Sequence, residues 1–165
     1  MRVDVVATRP QPTILALRYL VAGRTSELRL PPKAAPARAD ELWRRTCFEA
    51  FLRTPPDPAY AELNFSPSTE WAAYRFDRYR EGMSLAREIA VARIDVQTTS
   101  QLLTLETELS VGGVPADAAW RLGLSAVIEE ASGRISYWAL AHPPGKPDFH
   151  HSDCFALELV PASQV

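Results

Sequence analysis

The feature that most constrains this chain is its rhythm. Short apolar segments, several of them alternating at period two, recur at spacings of roughly 8–14 residues and are punctuated by Gly, Pro, Asp and Ser clusters. TILALRYLVAG (13–23) sets Leu15, Leu17, Tyr19 and Val21 on one face and stops at Gly23. TSELRL (25–30) follows across a Gly23–Arg24 turn, which predicts a hairpin between the two. YAELNF (60–65) and WAAYRF (71–76) flank the turn SPSTE. IAVARIDVQ (89–97) and LLTLETELSV (102–111) are joined by TTSQ, and LGLSAVIEE (122–130) and ISYWALAH (135–142) by ASGR, so each pair predicts a hairpin. CFALELV (154–160) closes the series with Phe155, Leu157 and Leu159 on one face. No helix alternates with these strands, so a parallel sheet is excluded. The prediction is an all-β, antiparallel, jelly-roll-like β-sandwich of about nine to ten strands, in a single domain over 1–165.

One segment resists the pattern. In DELWRRTCFEAFLR (40–53), Leu42, Trp43, Thr46, Cys47, Ala50 and Phe51 recur at helical spacing, and Asp40 would cap such a helix. The alternating reading sets Phe48, Ala50 and Leu52 against Cys47, Glu49 and Phe51. Periodicity alone slightly favours the helix. PPKAAPARAD (31–40), DRYREGMS (77–84), GGVPADAAW (112–120) and the proline-rich PPGKPDFHHSD (143–153) read as loops. In the last, Phe149 is expected to anchor against the sheet, with His150 and His151 pointing to opposite sides.

Bulk properties exclude several function classes. A chain of 165 residues that is 47% hydrophobic and 23% charged can bury a core without staples. Eighteen Lys and Arg against 20 Asp and Glu leave a net charge of −2, and the arginines are scattered, so no nucleic-acid footprint is present. No apolar run is long enough to span a bilayer, and MRVDVVATRPQP lacks the apolar core of a signal peptide, so no membrane partner and a cytoplasmic location are expected. In that compartment Cys47 and Cys154 stay reduced.

No phosphate-cradling glycine loop, nucleophile elbow or HExxH pair occurs, so no catalytic residue is assigned. His142, His150 and His151 cluster around the 143–153 loop, but consecutive extended residues diverge and no metal site is assigned. The tryptophans carry the stronger signal. An indole face beside forked polar groups suits a sugar ring, and Trp43, Trp71 and Trp138 are accompanied by Glu49, Glu62 and Asn64. With His142 and His150 from the loop region, these form the candidate ligand-binding set. Glu49 and Glu62 as a glycosidase pair would need a set separation that sequence does not reveal.

The runs LWRRTCFEAFL, YAELNFSPSTEWAAYRFDRYREGM and SYWALAHPPGKPDFHHSDCFALEL resemble bacterial proteins of the DOMON-like superfamily, which are similar to family 9 carbohydrate-binding modules. The resemblance covers roughly residues 40–160. It implies a β-sandwich that binds a sugar or haem in a pocket on one sheet, and it implies that 46–53 is a strand. By the same resemblance Trp43 and Glu49 match the tryptophan and acidic strand of the sugar modules. YAELNFSP, with Glu62, Asn64 and Pro67, matches the following aromatic strand, and Tyr137, Trp138, Phe149, His150 and Phe155 match the C-terminal signature. The penultimate strand departs from the family, with Leu140 and His142 where the sugar modules carry Asn and Arg. Haem is not expected, because Met1 and Met83 are the only methionines; no cofactor is assigned.

The expected function is therefore a non-catalytic module for a saccharide or sugar-like metabolite. The competing expectation is a structural or protein-interaction sandwich with a vestigial pocket and a protein partner. A cavity-free, tryptophan-filled sheet face would favour that second reading.

Overall fold

A computed structural model describes residues 1–161. It contains eleven strands: β1 (Arg2–Gln11), β2 (Ile14–Ala22), β3 (Cys47–Arg53), β4 (Tyr60–Phe65), β5 (Trp71–Phe76), β6 (Ser84–Leu85), β7 (Ile89–Thr98), β8 (Leu102–Val111), β9 (Trp120–Glu129), β10 (Ile135–Ala139) and β11 (Leu157–Leu159). They form two antiparallel sheets. One has the order β1-β2-β8-β7; the other runs β10-β9-β3-β4-β5-β6, with β11 also pairing β9. The architecture is the all-β sandwich that the strand rhythm predicts.

The interior is filled from both sheets by the period-two rule. Leu15, Leu17, Tyr19 and Val21 of β2 and Leu103, Leu105, Leu109 and Val111 of β8 meet Phe48, Ala50 and Leu52 of β3, Leu63 and Phe65 of β4, and Leu122, Leu124 and Ile128 of β9. Burying such side chains contributes about 1.5–3 kcal/mol each. β7 with β8, and β9 with β10, form the expected hairpins.

Three sequence expectations are corrected. Phe155 does not share a face with Leu157 and Leu159: it precedes β11 and packs in the roof cluster, whereas they pack against the interior. No strand is assigned before Thr13, yet β1 pairs with β2 along most of its length. TSELRL is not the partner of 13–23: Thr25–Glu27 is a 3-10 turn. The reason is that β1 and β8 already occupy both edges of β2. The chain after Gly23 instead crosses to the other sheet, where Arg29 N–H donates to the Glu129 carbonyl at 2.8 Å.

The ambiguous 46–53 segment is a strand, and its burial explains the ambiguity. β3 is buried at every position from Cys47 to Leu52, and β4 throughout. A strand buried on both faces carries no polar-out alternation to betray its period. Its inner face belongs to the sandwich interior. Its outer face lies under a roof made by the 3-10 turn Leu42–Arg44 and by residues 147–155, which bring Phe149 and Phe155 onto Phe51, Tyr60, Tyr74, Phe76 and Val127. Gly123 permits this approach, since a Cβ there would stand 3.1 Å from the Cys154 carbonyl oxygen.

Both cysteines are free and buried. Cys47 pairs in register with Val127, whereas Cys154 lies against Gly123, four positions away along β9. That spacing is about 13 Å at the strand rise, beyond the span of roughly 7 Å that a disulfide tolerates between Cα atoms.

Candidate functional site

The roof does not seal the outer face of the larger sheet completely. It leaves a cavity of about 460 Å³. The floor consists of Glu49 and Phe51 from β3, Glu62 from β4, Phe76 from β5 and Val127 from β9; the walls are Trp43, Arg80, Met83, Tyr137 and the run Pro147–His150. Strand parity puts the floor residues together. Glu49 is directly opposite Asn64 and Phe51 directly opposite Glu62, so the two carboxylates are diagonal neighbours on one face.

Several of the wall residues are tied down. Trp43 packs edge-on to Tyr74, with centroids 5.9 Å apart, and the Tyr74 hydroxyl donates to Asp40 at 2.6 Å. The Arg80 guanidinium donates to Asp148 Oδ1 at 2.7 Å, and the Tyr79 hydroxyl donates to Oδ2 at 2.5 Å. Against the upward push of burial, these bonds hold the Asp148 carboxyl below its ordinary range. Phe149 is only 9% exposed, as an anchor should be.

His150 is clamped between Phe51 and Phe76, with centroids 5.0 and 5.1 Å away. The Tyr60 hydroxyl accepts from Arg80 N–H at 3.1 Å and sits 2.7 Å from His150 Nδ1. Its own proton therefore goes to Nδ1, which leaves the ring hydrogen on Nε2, facing Glu62. Burial, and then the Arg80 charge, push the imidazole down to about 4 in spite of Asp148. The 3.6 Å approach of Nε2 to Glu62 Oε2 is thus a contact of a neutral ring and is no ion pair, although its distance would allow one.

The two floor carboxylates are unusual. Glu49 is 3% exposed. Its side chain has one hydrogen bond among the described residues, from Ser125 Oγ to Oε2 at 3.5 Å. Burial, reinforced by the nearby Glu62 charge, pushes it up to about 8. Glu62 is also raised by burial, in part offset by the 2.8 Å bond from Asn64 Nδ2 and by Arg80. Asn64 is 0% exposed, and its Oδ1 has no partner.

Of the sequence-predicted set, Trp43, Glu49, Glu62 and His150 line the cavity, and Asn64 supports Glu62 from beside it. Three lie elsewhere. Trp71 pairs with Phe65 on the interior face and is stacked by Arg38, 5.0 Å from the ring. Trp138 pairs with Ala126 on the interior face, where its Nε1 donates to Ser136 Oγ at 3.0 Å. His142 is exposed on the loop after β10, 6.1 Å from the Phe149 ring. His151 points away from the cavity and accepts from Asp153 N–H at 3.2 Å.

Tyr137, Arg80, Asp148, Phe51 and Phe76 line the cavity outside the predicted set. Tyr137 was within reach of sequence: the hairpin register places it opposite Val127, one residue out of phase with Trp138. Phe51 and Phe76 look like any core aromatic, and Arg80 and Asp148 sit on loops with no period. Among the described residues, no group of three or more His, Cys, Asp and Glu side chains is arranged to hold a metal ion, and no helix is long and apolar enough to cross a membrane.

Fold and site together define a β-sandwich with a half-roofed cavity on the outer face of its larger sheet. The β-sandwich fold is shared with a candidate carbohydrate-binding protein from Bacteroides uniformis, at 12% identity over 96% of this chain and 77% of that one, with a TM-score of 0.65. It is shared also with a family 9 carbohydrate-binding module from Caldicellulosiruptor kristjanssonii in complex with glucose, at 10% identity over 96% and 75% of the two chains, with a TM-score of 0.57. At these identities the likeness establishes the fold. No protein-family model matches the chain, and no curated protein matches it in sequence.

Proposed function

We propose that the cavity is a ligand pocket and that the chain is a non-catalytic binding module of the DOMON-like kind, taking a saccharide or sugar-like metabolite. The observation that carries this reading is the juxtaposition of an aromatic wall, Trp43 and Tyr137, with buried hydrogen-bonding groups on the floor, Glu49 and Glu62. Sugar recognition needs this pairing of an apolar platform and forked polar partners. The volume suits a ligand of one or two rings. A vestigial face would be expected to fill with apolar side chains, because buried carboxyls are costly to keep. This face keeps both.

Two carboxyls in a cavity also suggest glycoside hydrolysis. That chemistry requires them to flank the scissile bond. Here both rise as diagonal neighbours from adjacent strands of one floor, where they can hold one occupant together, and we take holding as the reading.

The test is a titration of mono- and oligosaccharides followed by intrinsic fluorescence, in wild type and in Trp43→Phe. Binding should change the emission of the wild type and lose most of that change in the variant. If no saccharide perturbs the signal at millimolar concentration, the saccharide reading fails.

A further inference from the structure

The polar inventory of the floor is lopsided. Glu49 Oε1 accepts no hydrogen bond from the described residues, Glu62 Oε2 meets only the 3.6 Å approach of His150, and beside the floor the fully buried Asn64 Oδ1 has no partner. All three are acceptors. Of the two basic side chains in the lining, His150 is neutral and Arg80 is engaged by Asp148. Ser125 is a weak, distant donor to Glu49, and the nearby Tyr19 hydroxyl is spent on the Glu49 backbone carbonyl at 2.6 Å. The floor thus has a surplus of acceptor oxygens, and it gains negative charge as its two carboxyls ionise. It is bounded by the aromatic rings of Trp43, Phe51, Phe76 and Tyr137.

An occupant that completes this site must bring donors and positive charge. A polyol hydroxyl brings two lone pairs with each hydrogen, so it adds acceptors to a floor already rich in them. An ammonium group brings three donors and no acceptor, and aromatic faces attract it further. We propose that the pocket selects a protonated amine carried on a ring-sized body, an unacetylated amino sugar, with its ammonium seated between Glu49 and Glu62. This rests on the reading of the cavity as a ligand pocket. In the empty site a proton held on Glu49 relieves the surplus. The bound cation displaces that proton, so binding releases it to solvent and tightens as pH rises toward the Glu49 transition. Glu62, Arg80, Asp148 and the neutral His150 face the same space and shape that transition.

The experiment is calorimetry near neutral pH with glucosamine, glucose, N-acetylglucosamine and cyclohexylamine, run in two buffers of different ionisation enthalpy. Glucosamine should bind at least about tenfold more tightly than glucose or N-acetylglucosamine, the scale of one partly desolvated ion pair. Cyclohexylamine, fully charged at this pH, should release protons on binding. In Glu49→Gln, checked for an unchanged fold by circular dichroism, the preference for the amine should vanish. Glucose binding as tightly as glucosamine would overturn the amine inference and leave the saccharide reading standing. Cyclohexylamine binding with no sugar binding would support the ammonium seat and sink the saccharide reading. Binding by none of the four would overturn the inference outright, as would amine binding without proton release. The last result needs no variant to interpret.

Discussion

Replacing Glu49 by Gln should make the protein more stable, and increasingly so as pH rises. Gln keeps the shape and removes the ionisable group. In the folded chain the Glu49 carboxyl is pushed from an ordinary 4.5 to about 8 by burial and by Glu62. A group whose folded pKa is raised adds stability that is fully present below its unfolded pKa and is lost as pH climbs through its folded one. Between 4.5 and about 8 the unfolded chain surrenders this proton while the folded chain keeps it. Each pH unit in that window then costs the wild type about 1.4 kcal/mol, so near neutrality the deficit relative to the variant is about 3 kcal/mol, approaching about 5 kcal/mol above pH 8. His150 works in the opposite sense. Its folded value is depressed to about 4 from 6.5, so its contribution is present above 6.5 and fades as pH falls through 4. It is common to both proteins and largely cancels in the difference. The assay is urea unfolding of wild type and Glu49→Gln across the pH range, with ΔG extrapolated at each point. A difference curve that stays flat between pH 5 and 8 would refute the reasoning and would mean that the carboxyl is solvated or paired.

Phe149→Ala should cost about 3–5 kcal/mol in the same urea assay, because a buried aromatic holds the roof down, whereas His151→Ala should stay within about 0.5 kcal/mol. Tyr60→Phe should cost about 1–3 kcal/mol by orphaning His150 Nδ1 and Arg80 N–H together, and the His150 ring signals should shift on NMR titration. Denatured protein should titrate two free thiols, while the native protein reacts slowly at both, since Cys47 and Cys154 are buried and too far apart to bridge; one thiol or none would contradict the register of β9.

How much of this was legible in the sequence depends on which face of a strand a residue serves. β8 displayed its alternation openly, because one face packs inside and the other meets solvent or its rim. β3 hid its own, because Glu49 and Phe51 are as buried as Phe48 and Ala50; only the family resemblance separated strand from helix there. Glu49, Glu62 and Asn64 could be picked out because a carboxylate or amide amid apolar neighbours is conspicuous. Choosing among the tryptophans was harder. Trp71 and Trp138 fall one position out of phase with the cavity, and parity counts only once the pairing partner is known. Arg80 and Asp148 meet across 68 residues of sequence, between two loops, and no local pattern announces such a contact. β1 was missed because a strand beginning at the second residue has no turn ahead of it to mark its start.

The doubly covered sheet acts as a partition between two nearly independent compartments. On β3 and β4, alternate positions answer to different neighbours: Phe48, Ala50 and Leu63 to the sandwich interior, Glu49, Phe51 and Glu62 to the cavity. The tether noted across it, from the Tyr19 hydroxyl to the Glu49 carbonyl, engages backbone and not the carboxyl. A library restricted to the cavity-side positions would therefore vary what the pocket holds while leaving the interior packing as it is, and the same strands that make the fold rigid would leave its specificity free to drift.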